Sequence, residues 1–181
     1  MPHDIGAALR NELRARFHDQ KELAERALAQ TPPDAFFSTL DGETNSIGLV
    51  VKHVGGNLRS RWRDVLASDG EKADRRRDGE FEREAGDSVE SVLACWNDGW
   101  AHLFNALDGL TNDDLLRVVH IRGEAHTVVQ AALRGLAHTA QHVGQIVLLA
   151  RHAAGPGWKT LSIPRGASDA VLRNVLDRRG G

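Results

Sequence analysis

Gly135-Leu-Ala-His-Thr-Ala-Gln-His-Val-Gly-Gln-Ile-Val-Leu-Leu-Ala150 is the stretch on which the fold turns. Sixteen residues pass without a permanent charge, yet two histidines and two glutamines lie among them. Residues four apart on a helix are neighbours, with Cβ atoms about 5–6 Å apart. His138 and His142 therefore point the same way, one turn apart, a spacing at which two imidazoles can share one metal ion. At about 100° per residue, Val129, Leu133, Leu136, Ala140, Val143 and Val147 form an aliphatic stripe, and the two histidines fall roughly opposite it. A surface helix would carry lysines and glutamates on that far face. Here it holds Thr127, Ala131, Gln145 and Leu149, and Arg134 is the one permanent charge between Val128 and Ala150. A helix uncharged all round is usually buried, so the histidines are expected to line an interior or a cleft.

Outward from this helix, the pattern is helical almost everywhere. Ile5 to Ala29 is rich in good helix formers, with Ile5, Leu9, Leu13, Phe17, Leu23 or Ala24, and Leu28 facing a core. Thr31-Pro32-Pro33 ends that helix, because proline lacks the amide hydrogen and disfavours helical geometry in the residue before it. A second helix is predicted from Ser46 to Ala67, with Thr44, Asn45 or Ser46 as N-cap and Ile47, Val50, Val51, Val54, Leu58, Trp62 and Val65 on one arc. His53 sits at the edge of that arc, and Asn57 follows one turn later. Gly55-Gly56 marks a place of close helix packing. The charged, turn-rich segment Ser68 to Asp87, with Arg75-Arg76-Arg77, reads as a solvated connection or as an anionic-ligand patch.

Ser88 to Leu107 predicts a third helix, with Val89, Val92, Leu93, Trp96, Trp100, Leu103 and Leu107 as its buried stripe. Val118 to Ile121 and His126 to Val128 flank a glycine-containing turn and permit a small hairpin before the fourth helix. Ser168 to Arg178 predicts a short terminal helix. The expected fold class is all-α: a four-helix bundle in a single domain over residues 1–181.

Composition narrows the function classes. With 23 basic and 25 acidic residues, the chain gives no electrostatic argument for nucleic acid or an anionic membrane. The single cysteine, Cys95, excludes an internal disulfide framework and suits a reducing compartment. No apolar run approaches the roughly 20 residues that span a bilayer. Met1-Pro-His-Asp shows neither the basic nor the apolar region of a signal peptide, so a cytoplasmic setting is expected.

The His138/His142 pair alone admits two readings: a metal site, or a pair of hydrogen-bonded core histidines. A third ligand must come from another helix, and His53 is the best placed; as an edge-of-core histidine it has the plainer alternative too. Position 139 is threonine, so the HExxH zinc-protease motif is absent, and the paired Glu-x-x-His motifs of di-iron bundles are missing. Cys95 beside Trp96 reads as a small core residue rather than a nucleophile. His3, His18, His120, His126 and His152 have no mutual spacing that suggests a site.

Val51-Lys-His-Val-Gly-Gly-Asn-Leu58, Ile121-Arg-Gly-Glu-Ala-His-Thr-Val128, Leu136-Ala-His-Thr-Ala-Gln-His-Val-Gly-Gln-Ile-Val147 and Trp158-Lys-Thr-Leu-Ser-Ile-Pro-Arg-Gly166 together resemble the DinB superfamily, and within it a branch of uncharacterised bacterial proteins. The resemblance covers nearly the whole chain. It implies a DinB-like four-helix bundle, commonly homodimeric, with one divalent transition metal, zinc or nickel, held by His53, His138 and His142. Asn57 and Gln145 would then be groups that support the ligands. Related members include bacillithiol-dependent thiol-S-transferases and a mycothiol-dependent isomerase. The expected function is accordingly that of a metal-dependent transferase, in which a metal-bound low-molecular-weight thiol attacks an electrophilic small molecule. The alternatives are a metal-dependent hydrolase and a non-catalytic, stress-related binding bundle. The chain departs from many relatives in having no tyrosine and in carrying Thr139 where an aromatic is common. Trp62, among Arg59, Arg61, Arg63 and Asp64, reads either as an aromatic available to a partner or as a core residue.

Overall fold

Asp4 accepts a hydrogen bond from the Ala7 amide at 3.0 Å and so starts α1, Ile5–Leu28. A computed structural model describes residues 4–179 of the chain. Ser46 caps α2, Ile47–Trp62, and Ser88 forms a reciprocal cap with Ser91 at the start of α3, Val89–Gly109. Thr127 and Gln130 do the same for α4, Val128–Ala154, and α5 covers Ser168–Arg179. Each long helix thus begins at a side chain that satisfies otherwise orphaned amides.

α2 packs along α3, α1 along α4, and α2 also meets α4, so α2 and α4 bring their faces together inside the bundle. Two glycines set the α2–α3 distance. A Cβ on Gly55 would stand 2.7 Å from the Cys95 carbonyl oxygen, and one on Gly99 would run into the backbone of Gly55. The helices therefore touch backbone to backbone. Phe17 lies edge-on to Trp62 at 6.1 Å and to Trp100 at 6.4 Å, and Trp96 meets Trp100 at 5.4 Å. Each fully buried large apolar side chain contributes on the order of 1.5–3 kcal/mol. Trp62 is only 3% exposed, so it is a core residue and offers no surface to a partner.

Among the described residues the one sheet is an antiparallel hairpin of β1, Val118–Ile121, and β2, Glu124–Thr127. Its second strand begins two residues earlier than the sequence suggests, because Arg122 (φ 55°) and Gly123 (φ 77°) alone make the turn. Positive φ at both central residues is the geometry that matches the twist of a two-residue hairpin. Among the described residues no helix is long and apolar enough to cross a membrane.

Three expectations need correction. α2 stops at Trp62 rather than Ala67, since Arg63 turns extended and Asp64 takes a positive φ of 50°; no glycine or proline announces that stop. Ile5, expected to face the core, is 78% exposed. On α4 the buried residues are Val128, Ala132, Thr139, Val143, Ile146, Leu149 and Ala150, a line rotated by roughly 80° from the expected stripe, and Leu133 is half exposed. A helix without a charged side gives no polar reference for choosing its inner face. Gly135 lies beside Phe17 of α1 and Trp62 of α2, each 3.7 Å from where its Cβ would stand. His138 and His142 consequently sit on the shoulder of the buried face instead of opposite it.

Candidate metal centre

α2 carries His53 into its buried face, 3% exposed, and α4 carries His138 and His142 one turn apart toward it. One ligand atom from each of the three lies within 4.8 Å of the others. The ring centroids are 4.5–5.2 Å apart. His53 Nε2 is 3.2 Å from His138 Nε2. Two nitrogens bound to one zinc at 2.0–2.1 Å and near-tetrahedral angles would stand roughly 3.3 Å apart. The donor set therefore fits a divalent ion, and these three residues could hold one.

The outer nitrogens of two rings have partners. His53 Nδ1 is 2.8 Å from Glu80 Oε2, and His142 Nδ1 is 2.8 Å from Gln145 Oε1. Since a carboxylate and an amide oxygen only accept, each Nδ1 is the donor, which in the neutral ring leaves the Nε2 lone pair for a metal. Burial, with the neighbouring His142 and His53 adding to it, pushes His138 down to about 3. Burial likewise lowers His142. Both rings are thus neutral near pH 7, the form a metal needs.

Glu80 is the residue that sequence reasoning missed. It belongs to the segment expected to be a solvated connection, which instead straps across α2. Ser60 Oγ donates to the Gly70 carbonyl at 2.7 Å, Gly70 N donates to the His120 carbonyl at 2.8 Å, and Lys52 pairs with Asp87 at 2.8 Å. Between these ties, Asp78–Phe81 forms a 3₁₀ turn that delivers Glu80, 6% exposed, to His53 and lays Phe81 against the His53 ring at 4.4 Å. Arg75 grips the Glu80 carboxylate with Nε at 2.8 Å and Nη2 at 2.7 Å. Burial raises Glu80, but the hydrogen bonds from Arg75 and His53 outweigh it and hold the carboxyl below its ordinary value. Glu80 is therefore a fixed anion and a poor base. Arg75 is spent on it, and Arg76 pairs with Glu84 at 2.8 Å, so only Arg77 of the arginine run reaches the cavity.

Gln145 takes the supporting place expected of it. Asn57 lines the cavity, but among the described residues it hydrogen-bonds no histidine. Cys95 is half-buried, with Sγ 3.9 Å from the Lys52 carbonyl, and burial pushes its thiol up, so it is no nucleophile. His120 joins the cavity wall, whereas His3 lies outside the described residues.

All three histidines open onto a cavity of about 300 Å³. Trp62, Val119 and Ile121 are among its apolar lining residues. Residues 4–167 match a family described as "Protein of unknown function (DUF1572)". The chain belongs to that family. The DUF1572 match spans His53, Glu80, His138, His142 and Gln145, so every part of the centre lies inside it. No curated protein matches the chain closely enough to count.

Proposed function

We propose that this DUF1572 chain is a DinB-type metal-dependent enzyme of the thiol-transferase kind, acting on a small electrophile with a low-molecular-weight thiol. One observation carries the reading. Three imidazoles converge at the wall of an open cavity, and among the described residues no fourth histidine, cysteine or carboxylate joins them within ligand distance. Structural zinc sites are closed by four protein ligands, whereas catalytic sites keep a position for an exogenous molecule. When bound, a divalent ion supplies a Lewis acid that favours the thiolate, the nucleophilic form of a thiol, near neutral pH.

The protein's own contribution is order and charge. Glu80 and Gln145 fix the tautomers of His53 and His142, and partners of this kind typically govern metal affinity by 10–100-fold. Arg75 fixes Glu80 in turn. Burial of His138 removes the competition of a proton for its ring. The apolar lining beside the histidines excludes water from one side of the site, which strengthens the electrostatic interactions within it.

Cobalt substitution tests the reading. A titrated small thiol is expected to change the visible spectrum, and the metal-loaded protein is expected to accelerate thiol addition to a chromogenic electrophile. His53→Ala, His138→Ala and His142→Ala should lose that rate while keeping a wild-type circular dichroism spectrum. An unchanged cobalt spectrum, together with unfolding on metal removal, would instead make the metal a structural staple in a non-catalytic bundle.

A further inference from the structure

Four arginines, Arg61, Arg77, Arg122 and Arg134, line the cavity beside the histidines, and among the described residues no aspartate or glutamate does. Each guanidinium has five N–H donors in a planar fork. Arg61 commits Nη1, to the Gly70 carbonyl at 2.7 Å and Glu71 at 3.0 Å, while Arg122 commits Nε to the same Glu71 at 2.9 Å. Arg134 commits Nη1 to His126 at 2.9 Å. Arg77 makes no side-chain hydrogen bond among the described residues, and its ion pair with Asp78 is 3.6 Å long.

The neighbouring acids do not neutralise this set. Glu71 is shared by Arg61 and Arg122, since Arg75 is held chiefly by Glu80, and Asp69 spends its oxygens on three backbone amides. Asp78 is 97% exposed and Glu124, 3.5 Å from Arg134, is 72% exposed, so water screens both. Among the described residues the cavity wall itself therefore carries four guanidiniums, no carboxylate and unspent donors. Trp62, Val65, Val119 and Ile121 give the same cavity an apolar part. Apolar lining with a few placed cationic groups is the pattern of a small-molecule site, and guanidinium forks match oxyanions in pairs.

We infer that the cavity takes a small organic molecule bearing an oxyanion, a carboxylate or a phosphoryl group, which the arginines hold while its other end lies toward the histidine triad. What that other end does rests on the function proposed above; the preference for the anion is a property of the cavity itself. A plain alternative is that three half-exposed arginines are only solvated surface, and it predicts no preference.

Calorimetric titration of the metal-loaded full chain with phenylacetate, benzylphosphonate and phenylacetamide separates the two. These probes share one apolar body and differ in the head group, and the two anions distinguish carboxylate from phosphoryl. At least one anion is expected to bind tenfold or more tightly than the amide, with an affinity that falls as salt rises. The double variant Arg77→Gln/Arg134→Gln should lose the preference while its metal content and circular dichroism stay at wild type. Equal binding of anions and amide, or no binding, overturns the inference. So does a preference that survives the arginine double variant, because the anions would then be ligating the metal directly. A preference that persists in His138→Ala while thiols leave the cobalt spectrum unchanged would sink the proposed function and leave the inference standing.

Discussion

Glu80 shows at the scale of one residue how the site is made and why part of it escapes a reading of the sequence. Its carboxylate lies between His53 and Arg75, beside a backbone position where a side chain would have no room: a Cβ on Gly56 would run into it. Replacing Glu80 with Gln keeps the shape and an acceptor for His53 but removes the charge. Metal affinity should fall about 10–100-fold. Stability should fall too, by up to about 3 kcal/mol, since Arg75, 4% exposed, keeps only its longer ion pair with Glu71 at 3.5 Å. Competition against a chelator reads the first effect and urea denaturation the second; wild-type affinity would show that Glu80 does not act on the ligand. The His138/His142 pair was legible because helical spacing by itself aligns i and i+4. Glu80 was not, because it lies in an aperiodic segment whose hydrogen bonds fix its path only in three dimensions. The one available clue was Gly56, a glycine inside a helix pattern, which marks a close approach without saying what approaches.

At the scale of the element, the turn of the hairpin that walls the cavity is held by one carboxylate. Asp69 accepts from the amides of Arg122 at 2.9 Å and Gly123 at 2.8 Å, the two residues of the β1–β2 turn, and also from Glu71 N at 2.7 Å. The Glu71 and Gly123 amides lead in holding it down to about 2, against an ordinary 3.8. A carboxyl whose folded value is depressed contributes stability that is present above its unfolded value and lost as pH falls toward the folded one. Asp69→Asn should therefore cost about 1–2 kcal/mol at pH 6, allowing for partial exposure, and the gap to wild type should narrow as pH falls from 4 toward 2. Urea titrations at several pH values check this, and a gap that is constant with pH would place the effect elsewhere. Thr127 fell within the expected hairpin, whereas helix starts were readable from Ser46 and Ser88, which can satisfy free amides locally. The end of α2 and the inner face of α4 were not, since one depends on the left-handed Asp64 and the other on which neighbours the helix meets.

Across the whole molecule, the bundle's task is to bring one histidine of α2 to two of α4. Four amphipathic patterns made the all-α class legible, but which helices touch is settled by contacts such as Gly55 against Gly99, which no period encodes. The triad is where fold and function meet, and metal content per chain is the measurement that tests it most directly. After purification and exhaustive dialysis, elemental analysis should find one divalent ion per wild-type chain and the same in His152→Ala, whose exposed side chain lies off the site. His53→Ala, His138→Ala and His142→Ala should each lose that ion while remaining folded. Wild-type metal content in all three variants would contradict the account.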